Sequence, residues 1–147
     1  MLDFELGKQF DVVTCLFSSI GYVQTVPNLR RAIQNMSDHL KPGGVLVIEP
    51  WFSRTQFLPN HVAALLIDQP DLKIARVALG RLEGGLSVLE FQYLAGTSDG
   101  IEHFGERHDL GLFERDDYGA AFEAAGLDMT HDEHGLMGRG LYIGVKR

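Results

Sequence analysis

A single cysteine, Cys15, stands in the 147-residue chain, so no disulfide forms within it and a thiolate metal cluster is excluded. Such scarcity fits a reducing compartment, and the expected location is cytoplasmic. Basic residues are short as well: 13 Lys and Arg face 20 Asp and Glu, for a net charge of −7. That deficit argues against a nucleic-acid binder or an anionic-membrane binder, since both need clustered Lys and Arg. It leaves room for a local basic pocket. No apolar run approaches the ~18 residues of a membrane helix. Met1-Leu2-Asp3-Phe4-Glu5 lacks the basic and apolar regions of a secretory signal. Repeats, linkers and low-complexity stretches are missing too. What is present, 45% hydrophobic and 22% charged residues, suits one ordinary folded domain.

Asp11 to Phe17 is a short apolar run with β-branched residues. It predicts a strand buried on both faces, as in a parallel sheet. Ser18-Ser19-Ile20-Gly21-Tyr22 breaks the run. Leu29, Ile33, Met36 and Leu40 then recur at helical spacing, with Thr25 and Pro27 at a plausible start. Lys41-Pro42-Gly43-Gly44 is expected to end that helix, because proline cannot continue it and glycine supplies a left-handed exit. Val45 to Ile48 predicts a second strand, completing a βαβ unit.

The middle of the chain reads differently. Ile74–Leu82 and Leu86–Leu94 flank the tight-turn signal Glu83-Gly84-Gly85, and Thr97-Ser98-Asp99-Gly100 leads into a third antiparallel strand ending at Phe113. Tyr118, Ala121, Phe122 and Ala125 mark a helix face that stops at Gly126. Strands are expected around Leu127–His131 and Leu141–Val145. Val62–Ile67 fits either a short helix or an extended run.

Chemistry is expected past the carboxyl ends of the two parallel strands, where open α/β sheets bind ligands. Those ends carry Phe17-Ser18-Ser19-Ile20-Gly21-Tyr22 and Glu49-Pro50-Trp51-Phe52. Serines, a carboxylate and aromatics suit a small-molecule pocket; ordinary loop chemistry is the plainer alternative. Six histidines invite a metal reading, but His131-Asp132-Glu133-His134 matches no zinc pattern. His131 and His134 are read as part of a solvated turn, with no metal. Cys15, mid-strand, reads as a small hydrophobe. Gly138-Arg139-Gly140 is no dinucleotide fingerprint, yet Arg139 offers a planar fork for phosphate or carboxylate.

The run from Asp11 to Tyr22, followed by Leu40-Lys41-Pro42-Gly43-Gly44-Val45-Leu46-Val47-Ile48-Glu49-Pro50-Trp51, resembles class I S-adenosylmethionine (SAM)-dependent methyltransferases. Phe17-Ser18-Ser19-Ile20-Gly21, Glu49-Pro50-Trp51-Phe52, Leu112-Phe113, Ala120 to Leu127 and Gly138-Arg139-Gly140-Leu141 narrow the likeness to sugar N,N-dimethyltransferases. Those enzymes dimethylate the amine of a nucleotide-linked aminosugar, as in desosamine or mycaminose formation. The implied fold is a partial Rossmann-like class I domain, strands 4 to 7, with an antiparallel β insert at about 73–113. Residues 1–147 then form one partial methyltransferase domain without the N-terminal SAM-binding half. Leu136-Met137 depart from the smaller, more polar residues expected before Gly138.

Carried over residue by residue, the resemblance implies cofactor contacts at Met1, Leu16, Phe17 and Ser18, with SAM as the cofactor. Tyr22 would stand by the methyl-transfer line, and Glu49 would accept an amine proton or orient a sugar hydroxyl. Trp51 would wall the pocket. His108 would touch substrate or take part in catalysis, and Arg139 would pair with the sugar nucleotide's diphosphate. Two other functions stay open: a non-catalytic dimerising or binding module, and a methyltransferase for another small molecule. Without a neighbouring strand, Asp11 to Phe17 would be a bare apolar edge, so homodimerisation or pairing through that strand is expected.

Overall fold

The structure is a computed structural model that describes residues 1–147. In chain order its elements are β1 (Phe10–Cys15), a 3-10 helix (Ser19–Val23), α1 (Val26–Asp38), β2 (Leu40–Ile48), β3 (Val62–Gln69), β4 (Leu72–Glu83), β5 (Leu86–Thr97), β6 (Gly100–Gly111), α2 (Arg115–Ala124), β7 (Leu127–Asp132) and β8 (Leu141–Lys146). They fall into two compact units, Met1–Phe57 with Leu110–Arg147, and Leu58–Asp109.

The first unit holds a mixed sheet in the order β1-β2-β8-β7. β1 runs parallel to β2, whereas β8 is antiparallel to both of its neighbours. The βαβ unit expected from the sequence is therefore present. Thr25 begins α1 by accepting the Asn28 amide at 3.3 Å, and Pro27 sits in the first turn, where its missing N–H is harmless. Leu29, Ile33 and Met36 are buried as their spacing requires, in one core with Leu46, Ile48, Phe113, Tyr118, Phe122 and Leu127. Near the far end of α1, the Lys146 ammonium donates to the carbonyls of Ser37 (2.7 Å) and Leu40 (3.0 Å), satisfying acceptors at the helix exit.

Three local expectations are corrected here. The helix ends at His39, and Leu40 already belongs to β2. Phe10 pairs with Leu40 and Val12 with Val45, so Lys41 to Gly44 bulge opposite Asp11, whose carboxylate takes the Lys41 ammonium at 2.9 Å. Gly43 meets the bulge's need for positive φ, at +76°. The segment Ser18 to Tyr22 is not a plain loop but leads into the short 3-10 helix. β1 is not buried on both faces, because it forms a sheet edge and its Val12 is 54% exposed.

The second unit is an antiparallel sheet in the order β3-β4-β5-β6. The turn at Gly84-Gly85 joins β4 to β5 as its sequence demands. Val62–Gln69 is a strand, paired along its whole length with β4. The antiparallel unit thus begins well before residue 73, where the sequence placed it. No helix in either unit is long and apolar enough to cross a membrane.

Candidate functional site

Glu49 lies immediately beyond β2 and is 1% exposed. A carboxylate so placed must find donors, because an unpaired buried charge is costly. One oxygen, Oε2, accepts the Phe17 backbone N–H at 2.7 Å, and the other, Oε1, accepts from the Arg139 guanidinium at 3.3 Å. The Glu49 amide also donates to the Cys15 carbonyl at 2.9 Å, so the ends of β1 and β2 are laced together.

The chain leaving β1 makes an unusual turn. Phe17 and Ser18 both take left-handed backbone angles, φ +53° and +59°. Non-glycine residues pay for such angles and hold them only where neighbours over-determine the geometry. Ser18 is buried and its hydroxyl donates to the Pro50 carbonyl at 2.8 Å; the Ser19 hydroxyl and amide both donate to the Leu16 carbonyl. The Ser18 hydroxyl is thereby committed to the fold, while the Phe17 ring faces outward, 79% exposed.

Arg139 approaches from the segment before β8. Its guanidinium carbon lies 5.4 Å from the Trp51 ring centre and 5.8 Å from that of Phe52, within cation–π range of both. Its side chain is largely covered, and Nε is buried with no partner. A cleft of about 320 Å³ opens here, lined among others by Trp51, Phe113, Arg115, His131, Arg139 and Tyr142. An arginine held against two aromatic rings in the lining of a cleft is suited to a planar or phosphate-bearing anion.

Of the residues singled out from sequence, Trp51 and Arg139 line the cleft, and Phe17, Ser18 and Glu49 adjoin them at a rim outside its lining, through the Glu49 carboxylate and the Ser18–Pro50 bond. Tyr22 sits in the 3-10 helix of the same unit, 52% exposed. Leu16 is half-buried, and Met1 is 43% exposed. His108 belongs to the antiparallel unit, where its ring packs edge-on against Phe91 and Nε2 lies 3.4 Å from Glu106.

Sequence reasoning missed His131 and Arg115. His131 is not in a solvated turn; it lies in β7, opposite Tyr142 of β8, with the two rings stacked and its Nδ1 buried without a partner. Burial, aided by the Arg115 charge, holds its pKa below the ordinary histidine value. The alternation of β7 and β8 could have revealed that pairing only once their register was known. No group of three His, Cys, Asp or Glu assembles that could hold a metal. The antiparallel unit carries a larger groove of about 520 Å³, lined by Leu66, Ala75, Leu94 and Ile101, with Asp71 and Lys73 at its border.

The fold is that of the class I SAM-dependent methyltransferases. A SAM-bound amino pentose methyltransferase from Micromonospora echinaspora superposes with a TM-score of 0.89 at 39% identity, over 99% of this chain and 61% of that one. A SAM-dependent methyltransferase from Clostridium acetobutylicum, 17% identical, shares the fold at a TM-score of 0.80, over 98% of this chain and 61% of that one.

More particularly, the sequence is 39% identical over 146 residues to the dTDP-3-amino-3,4,6-trideoxy-α-D-glucopyranose N,N-dimethyltransferase of Streptomyces venezuelae. That match takes in 99% of this chain and 62% of the relative, so the chain spans about three fifths of the length of the curated relatives it matches. No protein-family model matches it.

Proposed function

We propose that this chain serves SAM-dependent N-methylation of a nucleotide-linked aminosugar. The observation that carries the reading is the Arg139 guanidinium, held against Trp51 and Phe52 where it lines the cleft. Similarity to aminosugar dimethyltransferases over nearly the whole chain supports it.

When bound, SAM would supply a methyl group on a sulfonium, whose sulfur is a neutral thioether leaving group for an attacking amine lone pair. The residues at the rim fit such a donor in one respect: the exposed Phe17 ring offers an aromatic face that favours a nearby cation. Met1, Leu16, Phe17 and Ser18 are the proposed cofactor contacts. For Leu16 and Ser18 these run through backbone or packing, because the Leu16 carbonyl and the Ser18 hydroxyl are already engaged.

The remaining work is alignment and exclusion of water. Arg139 binds the diphosphate and so fixes the sugar, and Trp51 walls the pocket. Tyr22 holds the amine as a hydrogen-bond partner of its neutral form, the only form with a lone pair. Methylation gives an ammonium that must lose a proton to water before a second transfer. Glu49 enters as an anchor, since its carboxylate is 1% exposed and holds the Phe17 N–H and the Arg139 guanidinium. His108 is proposed as a further sugar contact.

Incubation with methyl-labelled SAM and a dTDP-aminosugar tests the reading. Mono- and then dimethylated sugar nucleotide is the expected product. Absence of product, together with no calorimetric binding of either ligand, would sink it. A different small amine accepted in place of the sugar nucleotide would move the substrate class while keeping the chemistry.

A second reading, a non-catalytic pairing module, is favoured by the open edge of β1. Exposed edge strands recruit further strands, so we also propose homodimerisation or pairing through Asp11 to Phe17. Sedimentation velocity should show a dimer that Val12→Lys converts to monomer; a monomeric parent chain would rule the pairing out. The proposed location is the cytoplasm.

A further inference from the structure

We infer that Glu49 is a positioning residue: one buried carboxylate holds the left-handed Phe17–Ser18 turn and aims Arg139, so that the two flanks of the rim are set together. The inference takes from the preceding section only what the rim binds.

A carboxylate presents two acceptor oxygens, and here each has one donor. The Phe17 N–H takes Oε2 at 2.7 Å, a length typical of a charge-assisted bond, and it does so at a residue whose φ of +53° needs holding. Arg139, 90 positions along the chain, takes Oε1. The residues directly after Glu49 finish the fixation on both flanks. Pro50 accepts the Ser18 hydroxyl, while Trp51 and Phe52 lie against the Arg139 guanidinium. Four consecutive residues therefore hold both the turn and the arginine.

Chemistry makes the role specific to a carboxylate. Glutamine has one carbonyl acceptor, and its amide nitrogen is a donor. In Glu49→Gln, that nitrogen must face either the Phe17 N–H or the guanidinium, two donors against each other. A carboxylate that exchanges protons with a ligand must be within its reach, and Glu49 is 1% exposed behind its two donors. The contact left to the glutamine carbonyl loses its charge assistance as well, so the turn and the arginine should both loosen, leaving the strands that carry them in place.

The single tryptophan in the chain is Trp51, which makes its fluorescence a direct report on Arg139. In the intact chain, Glu49→Gln should shift Trp51 emission and speed hydrogen exchange of the Phe17 amide about tenfold. Arg139→Ala should shift the emission similarly, and the double variant should add nothing further. Binding of thymidine diphosphate should weaken about tenfold in Glu49→Gln, but show no such change when Arg139 is already alanine.

Unaltered Phe17 exchange in Glu49→Gln, or emission shifts that simply add, would overturn the inference. Should Glu49→Gln fail to fold, Arg139→Ala alone still decides: faster Phe17 exchange supports the shared carboxylate, and unchanged exchange refutes it. Failure of thymidine diphosphate to bind the parent chain would count against the proposed substrate, while exchange and emission would still judge Glu49.

Discussion

The imidazole of His131 lies against the phenol ring of Tyr142, centroids 4.5 Å apart and planes inclined by 29°. Tyr142 in turn stacks on the buried Tyr118 at 4.1 Å, so three rings from β7, β8 and α2 form one column beside the cleft.

That column should make stability depend on pH. Burial, then the Arg115 charge, holds the His131 pKa below 6.5. The unfolded chain therefore takes up a proton at a higher pH than the folded one. The stability owed to neutral His131 is complete above about pH 6.5 and declines as pH falls through the folded pKa. His131→Phe keeps a ring in the column and removes the proton. Denaturant unfolding across mildly acidic pH should show a shallower decline for this variant than for the parent.

Gly144 of β8 passes directly under Phe122 of α2. A methyl group at position 144 would meet the Phe122 ring at 2.6 Å, and that ring is fully buried with nowhere to retreat. Gly144→Ala should cost about 1–3 kcal/mol, the usual range for overpacking a core. A lowered urea midpoint with an unchanged m-value is the expected signature.

Burial pushes the Cys15 thiol up to about 11. At pH 8 almost none of it is thiolate, the reactive form. A disulfide reagent such as DTNB should label it slowly and at a rate that follows unfolding. A fast reaction in native buffer would show that the end of β1 opens easily.

Tyr22 carries the proposed hydrogen bond to the amine. Its loss in Tyr22→Phe should lower methylation turnover about tenfold, the worth of roughly one hydrogen bond, with little change in KM for the sugar nucleotide. Steady-state kinetics with purified dTDP-aminosugar measures both.

Much of this architecture was legible in the residues. Leu29, Ile33 and Met36 announced α1, Gly84-Gly85 announced the hairpin, and the strand-end segments at Phe17 and Glu49 announced the rim. Other features depend on distant partners. Val62–Ile67 has no period that separates strand from helix, and its pairing with β4 decides the matter. The Pro42-Gly43-Gly44 signal was true as a break, but it marks a bulge opposite Asp11 inside a strand instead of a helix end. The apolar makeup of β1 suggested full burial, because composition does not tell which flank of a strand is occupied. Glu49 was recognised as important from its place after β2. That each of its oxygens already takes a donor could only come from contacts 32 and 90 residues away.

β8 sits between β2 and β7, inside the sheet. During synthesis, a nascent chain that stops short of Leu141 has β2 and β7 without the strand that joins them. Both are then free to capture foreign strands. β8 is thus the keystone of assembly, and a chain interrupted just before it would be a sticky, half-built product.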